Sequence, residues 1–344
     1  MRPASSREFV RVLTDLGATF VRHGKGDHDI YERAAHGRTY VAPVIVGRKE
    51  LDVKYRSKSC DSSVCRTTRY ATWTSEHVRA HVPPTGDRKD LILKKNLVLQ
   101  KLQAGQPAYG FWVTSGSPIL AEAAAHLGYD FLLLDRQHGH WGFDATVQAM
   151  QAIGPTDTMP VARVLRNDPA LINQVLDIGA LGVIVPLVNS AEEAERAVEA
   201  AKYPPAGIRS AGGSRLMLYG ADYMQAANDE TLVAVMLETR EAVERAEEIL
   251  AVPGVDVGFI GPSDLAFSLG GEAFASDEHE AALRQVLQAG NNAGKPVGMP
   301  LQTPELCLER AAQGFRFLTC GSDMSSLLGD ATARLKVLGG VQPA

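Results

Sequence analysis

From Tyr109 onward, short apolar runs alternate with stretches whose apolar residues recur every three or four positions. Apolar runs bounded by glycine and polar residues predict parallel strands buried on both faces, and the 3.6-residue period predicts helices that cover them. Strands are expected at 109–113, 131–135, 160–165, 182–187, 232–238, 256–260, 296–301 and 316–320. Helices are expected between them at 118–127, 143–153, 168–178, 191–201, 240–250, 278–293 and 304–313. This alternation predicts an α/β chain folded as a TIM (β/α)8 barrel. A doubly wound open sheet is the alternative, but no G-x-G-x-x-G follows the first strand.

A different pattern precedes the barrel. Asp90 is placed to cap a helix through Leu91, Leu93, Leu97, Leu99 and Leu102 that ends near Gly105. Residues 5–46 read as a small α+β segment. Ser5 or Ser6 caps a helix carrying Phe9, Val10, Val12, Leu13 and Leu16, Gly17 ends it, and short strands follow at 20–22, 28–31 and 39–41. Residues 47–90, rich in Arg, Lys, Ser, Thr and Asp, show no period and read as a linker or poorly ordered extension. The expected organisation is a small basic segment over 1–50, a linker over 51–90 and a barrel over 91–340. Cys60, Cys65, His77 and His81 follow C-x4-C-x11-H-x3-H, near a zinc-finger spacing. With only Tyr70 and Trp73 to pack such a finger, the spacing reads as coincidence.

Charge sharpens the division. Residues 1–95 hold 19 Lys/Arg against 11 Asp/Glu, whereas residues 96–344 hold 16 against 29. A basic N-terminal segment is compatible with nucleic acid, and on charge alone it reads as a solvated surface. Four scattered cysteines do not make a disulfide framework and fit a reducing cytoplasm. No apolar signal core follows Met1, and no run of about 18 apolar residues predicts a membrane span.

In such barrels chemistry sits at the C-terminal ends of the strands. There the sequence places Asp135, Gln137 and His138 after the second strand, Arg163 on the third and Glu238 after the fifth. Gly261-Pro262-Ser263-Asp264 follows the sixth. Two carboxylates suit a hard divalent cation such as Mg2+ or Mn2+, and an arginine suits a carboxylate or a developing enolate. Gly261 permits close approach, and the backbone N–H groups that follow suit an anion. The implied chemistry is proton abstraction beside a carbonyl, or carbon–carbon cleavage to an enolate. Singly, Asp135 and Asp264 also read as helix caps, Glu238 as a first-turn helix acid and Arg163 as a structural ion-pair partner. Their joint placement favours the catalytic reading.

Residues 100–338 resemble the HpcH/HpaI family of metal-dependent class II pyruvate aldolases. The resemblance is carried by Leu134-Asp135-Arg136-Gln137-His138-Gly139, Arg163-x-x-Arg166-Asn167-Asp168-Pro169, Tyr203-Pro204-Pro205-Ala206-Gly207-Ile208-Arg209, Leu237-Glu238-Thr239-Arg240-Glu241-Ala242 and Phe259-Ile260-Gly261-Pro262-Ser263-Asp264-Leu265. It implies Glu238 and Asp264 as ligands of Mg2+, Mn2+ or Co2+, and Arg163 against the keto oxygen of a 2-oxo acid. It also implies a substrate carboxylate held around Gly261, Pro262, Ser263 and Asp264. His138 would be the acid/base, and Asp177 would pair with it across a subunit boundary. The family is typically hexameric with exchanged C-terminal helices, so a homohexamer is implied. Gln137 stands where several members have Glu, Met236 where a pyruvate-contacting Gln is frequent, and Arg136 where the residue is usually smaller. No lysine lies in these motifs, which points away from Schiff-base chemistry. Oxaloacetate decarboxylation would use the same enolate. The stretch from Tyr203 to Arg215 is expected as a loop over the mouth, and His140 as a loop-packing residue.

Residues 1–50, through Gly26-Asp27-His28-Asp29-Ile30-Tyr31 and Val41-Ala42-Pro43, resemble HicA-type toxin ribonucleases, whose fold is similar to a double-stranded RNA-binding domain. The resemblance implies His28 as a general base toward a ribose 2′-hydroxyl. The residues alone equally allow a histidine on a small exposed sheet. An RNA-acting N-terminal module with the barrel as passenger is thus a further reading.

Overall fold

A computed structural model describes residues 94–340, apart from 221 and 272–274, together with three short strands near the N-terminus. The chain divides into two units, Met1–Arg88 and Lys89–Ala344. In the first, β1 (Thr19–His23), β2 (His28–Ala35) and β3 (Arg38–Ile45) form an antiparallel sheet in the order β1-β2-β3. The helix expected over 5–16 and the Cys60, Cys65, His77 and His81 set lie outside the described residues, as does the side chain of His28.

In the second unit α1 (Leu97–Gln103) precedes β4 (Ala108–Val113), α2 (Pro118–Ala125), β5 (Phe131–Asp135), α3 (Phe143–Ile153), β6 (Met159–Arg163), α4 (Pro169–Asp177), β7 (Gly182–Val185) and α5 (Ala191–Ala201). There follow α6 (Tyr223–Glu230), β8 (Leu232–Leu237), α7 (Arg240–Glu244), α8 (Ala246–Leu250), β9 (Val257–Ile260), α9 (Pro262–Leu269) and α10 (Asp277–Ala293). The chain then runs through β10 (Val297–Leu301), α11 (Pro304–Gln313), β11 (Phe317–Ser322) and α12 (Asp323–Val337). Strands β4 to β11 pair in parallel with their sequence neighbours, and β11 returns to β4 to close an eight-stranded barrel.

Strand periodicity decides what the mouth contains. Leu132, Leu134, Ala162, Val233, Val235, Leu237 and Ile260 pack outward against the helices. Phe131, Leu133, Val161, Ala234, Met236 and Phe259 fill the interior. Since side chains alternate, Asp135 and Arg163 are the next interior positions at the ends of β5 and β6. Interior aromatics stack tightly, with Phe131 and Phe317 ring centroids 4.2 Å apart, and glycines make room for them. A Cβ at Gly298 would overlap the Phe317 carbonyl oxygen, which a barrel backbone cannot vacate cheaply. Gly298→Ala is expected to destabilise the protein by about 3 kcal/mol, read as a lower urea midpoint at unchanged slope.

Three expectations need correction. The pre-barrel helix begins later than expected: residues 94–96 are non-helical, and α1 starts at Leu97 because the Asn96 side chain accepts the Leu99 N–H, while Asp90 lies outside the described residues. Asn96 is fixed in turn by the Leu181 and Glu230 carbonyls, so α1 closes the N-terminal end of the barrel. The helix expected over 240–250 breaks at Arg245, whose φ −102° and ψ 9° leave the helical region. The segment from Tyr203 to Arg215 does not cover the mouth. It follows α5, which runs back along the barrel, so it lies at the N-terminal end with a 3-10 turn, Ser214–Tyr219. There the Tyr219 hydroxyl donates to the Gly179 carbonyl and Arg215 to the Met150 carbonyl. Among the described residues no helix is long and apolar enough to cross a membrane.

Candidate active site

One carboxylate organises the mouth. Asp135 ends β5 directly opposite Arg163 at the end of β6. Its two oxygens accept Arg163 Nε at 2.9 Å and Nη2 at 2.6 Å. They also accept Trp112 Nε1 at 3.2 Å and the backbone N–H groups of Gln137 and His138 at 3.0 and 3.2 Å. Burial works to raise the Asp135 pKa, but Arg163 and the other donors outweigh it and hold the carboxyl below its usual range. The fork–fork pairing fixes the guanidinium plane, which lies 4.8 Å from the Trp112 ring centroid. Arg163 is only 5% exposed. Among the described residues its remaining nitrogen, Nη1, meets the Met236 thioether as its acceptor, at 4.0 Å, a weak acceptor that leaves these donors for an oxygen in the mouth.

Glu238 follows β8 and is 2% exposed. Its Oε1 accepts the Leu187 N–H at 2.8 Å, delivered by a backbone held at φ 54°, a conformation unfavourable for leucine. Among the described residues no donor reaches its buried Oε2, and the Asp264 carboxylate lies alongside Glu238. A Cβ at Gly261 would overlap this oxygen, so glycine there makes the seat for the carboxylate. Burial pushes the Glu238 pKa up to about 7, reinforced by the nearby Asp264 carboxylate and opposed by the Leu187 N–H and Arg163. A buried carboxylate oxygen beside a second carboxylate is a donor set lacking a positive charge, and hard oxygen ligands suit a divalent cation. Among the described residues no cluster of three or more His, Cys, Asp or Glu side chains gathers, so protein ligands would be these two.

Asp264 is exposed on the first turn of α9, whose cap Gly261 offers no side-chain hydrogen bond. Pro262 has no N–H, so Ser263 and Asp264 carry the first free helical donors, at the positive end of the helix. His138 is exposed in the turn after β5. The Nδ1 of His140 lies 3.3 Å from the Thr114 carbonyl, in keeping with loop packing.

Asp177 does not join this group within one chain. It is the last residue of α4, at the N-terminal end of the barrel opposite the mouth. There its Oδ1 accepts Arg209 Nη2 at 2.9 Å, and Arg209, 2% exposed, stacks over Tyr203 at 4.5 Å. Sequence reasoning missed the roles of Trp112, of the Leu187 backbone and of Asp135 as the holder of Arg163. For the last, the common position at the ends of adjacent strands was the available signal.

The HpcH/HpaI aldolase/citrate lyase family model matches residues 108–329. A 4-hydroxy-2-oxo-heptane-1,7-dioate aldolase from Shigella flexneri is 38% identical over 240 residues, 67% of this chain and 89% of that one. A hydroxypyruvate/pyruvate aldolase from Delftia acidovorans is 38% identical over 239 residues, 68% of this chain and 89% of that one. Among solved structures, an HpcH/HpaI aldolase/citrate lyase family protein from Burkholderia cenocepacia superposes with a TM-score of 0.68 at 33% identity, covering 72% of this chain and all of that one. A match that spans the barrel strands and carries both the Arg163 and Glu238 strand ends makes this chain a member of the HpcH/HpaI aldolase/citrate lyase family.

Proposed function

We propose that the barrel reversibly cleaves a 4-hydroxy-2-oxo acid into pyruvate and an aldehyde, with Mg2+, Mn2+ or Co2+ held by Glu238 and Asp264. Membership of the aldolase family makes the protein a carbon–carbon lyase. The observation that carries the assignment of the site is the buried Glu238 Oε2, beside Asp264 and facing the Arg163 whose plane Asp135 fixes. A bound cation would supply Lewis-acid polarisation of the 2-oxo group.

The chain's own residues do the rest. The Ser263 and Asp264 N–H groups hold the substrate carboxylate, and Gly261 lets it approach. Arg163 Nη1 donates to the keto oxygen and strengthens that bond as negative charge develops during C3–C4 cleavage. His138 takes the proton of the C4 hydroxyl as the aldehyde leaves. Asp177 lies at the far end of its own barrel, so the pairing with His138 that the family resemblance implies is with the His138 of a second copy. That pairing requires an oligomer, which we assign as a homohexamer working in the cytoplasm. The wholly unburied α12, with Leu327, Leu328, Leu335 and Val337 exposed, supports association.

Glu238 must lose its proton to take a cation. With its carboxyl at about 7, the apparent Mn2+ affinity is expected to fall about tenfold per pH unit from pH 7 toward pH 5. Mn2+ titrations at pH 5.5, 6.5 and 7.5 check this, and a flat profile contradicts it. The function itself is tested by release of pyruvate from 4-hydroxy-2-oxo-heptane-1,7-dioate. Release abolished by chelator and restored by Mn2+ is expected. Release that persists in chelator, with borohydride trapping substrate on the protein, assigns a Schiff base instead.

A further inference from the structure

The Ser263 N–H can hold a carboxylate only if its peptide plane is fixed, and α9 itself supplies one tie, the helical bond from the Ala266 N–H to the Pro262 carbonyl oxygen. Its cap residue, Gly261, has no side chain, and Pro262 has no N–H to anchor. A second donor to the same carbonyl oxygen comes from another helix. His279, on α10 and 3% exposed, places Nε2 at 2.9 Å from the Pro262 carbonyl oxygen. A carbonyl oxygen only accepts, so Nε2 carries the proton and donates. The histidine is itself fixed on the first turn of α10, where its N–H donates to Ser276 Oγ at 3.1 Å.

The consequence follows from peptide geometry. In a trans peptide the C=O and the N–H are coplanar and point in opposite directions. The Pro262 carbonyl and the Ser263 N–H belong to the same peptide. A donor that fixes the carbonyl therefore also fixes the aim of the Ser263 N–H, on the opposite side. We infer that His279 is a positioning residue for the 2-oxo acid: through the Pro262–Ser263 peptide it aims the Ser263 N–H at the substrate carboxylate. This rests on the proposed aldolase site. His279 touches neither substrate nor cation, so its removal weakens substrate capture while leaving the cation ligands and Arg163 in place.

The test uses full-length protein and pyruvate methyl proton exchange in D2O with saturating Mn2+, giving KM and kcat, alongside separate Mn2+ titrations. His279→Phe fills the volume without a donor. It is expected to raise KM for pyruvate about tenfold with kcat within about threefold, as for the loss of a hydrogen bond to a charged group. The Mn2+ affinity is expected to be unchanged. His279→Gln, whose amide N–H reaches a similar distance, is expected to restore KM to within about threefold of wild type, and the shorter His279→Asn is not. If His279→Phe does not fold, the contrast between Gln and Asn carries the test. Equal KM values in all folded variants overturn the proposal, as does a parallel loss of Mn2+ affinity, which would place the role at the cation. Absence of exchange in the wild type overturns the site reading and the proposal together.

Discussion

Glu238→Gln is expected to lower kcat/KM for aldol cleavage by about a thousandfold or more and, at the same time, to stabilise the cation-free protein. The substitution keeps the shape of the side chain and its oxygen acceptor for the Leu187 N–H. It replaces the buried Oε2 by an amide NH2 group, which has no lone pair to offer a hard cation and can donate to Asp264. The stability gain follows from the raised pKa. The carboxyl moves from an ordinary 4.5 to about 7 on folding, so above pH 7 the folded protein buries a charge that the unfolded chain keeps in water. Removing that charge is expected to add about 2–3 kcal/mol at pH 8. The gain fades as pH falls through 7, and vanishes below about 4.5, where both states hold the proton. Chemical denaturation in chelator at pH 8 and pH 5 reads the stability, and a coupled pyruvate assay reads the activity. Activity within tenfold of wild type would remove Glu238 from the cation site.

The second large effect is at Arg163. Arg163→Lys keeps a positive charge but loses the planar fork that Asp135 grips through Nε and Nη2. An ammonium on a flexible stem cannot pair with Asp135 and also present a fixed donor beside Met236. The expected result is a fall in kcat of about a hundredfold to a thousandfold, with KM within about threefold, because the donor is worth most when charge develops on the keto oxygen. Asp135→Asn is expected to lose activity through the same guanidinium, so the double variant is expected to be little worse than either alone. Full additivity would show that Asp135 acts independently of Arg163.

How far these features were legible in the sequence follows from their physics. The run from Phe131 to Leu134 is buried on both faces, so it is apolar throughout and marks its strand unambiguously. Arg163 and Glu238 stand two residues beyond the interior Val161 and Met236, and a period of two places them at the mouth without coordinates. The bidentate grip of Asp135 on Arg163 depends on strand neighbours and register, which no local pattern encodes. The segment after Tyr203 is legible as a loop, but not the end of the barrel it serves. Helix-to-strand connections lie at the N-terminal end, and its prolines and glycines do not say which end they serve. The break at Arg245 leaves no helix-breaking residue in Arg240–Leu250, and α12 buries no residue that would have marked an inward face. Asp177 shows the limit most plainly. Only the fold reveals that it lies across the barrel from His138, so its role, if shared with that histidine, requires a second copy.

The most direct test of the central claim is proton exchange at the pyruvate methyl group in D2O, followed by NMR in Mn2+, in chelator and with Glu238→Ala. Enolate formation on pyruvate is the step common to cleavage and synthesis, and it needs no aldehyde. Exchange that requires Mn2+ and is lost in Glu238→Ala is the predicted result. A folded wild type that binds Mn2+ and exchanges no methyl protons would contradict the pyruvate-enolate assignment, leaving the barrel in its family but with Met236 and Gln137 facing a different substrate.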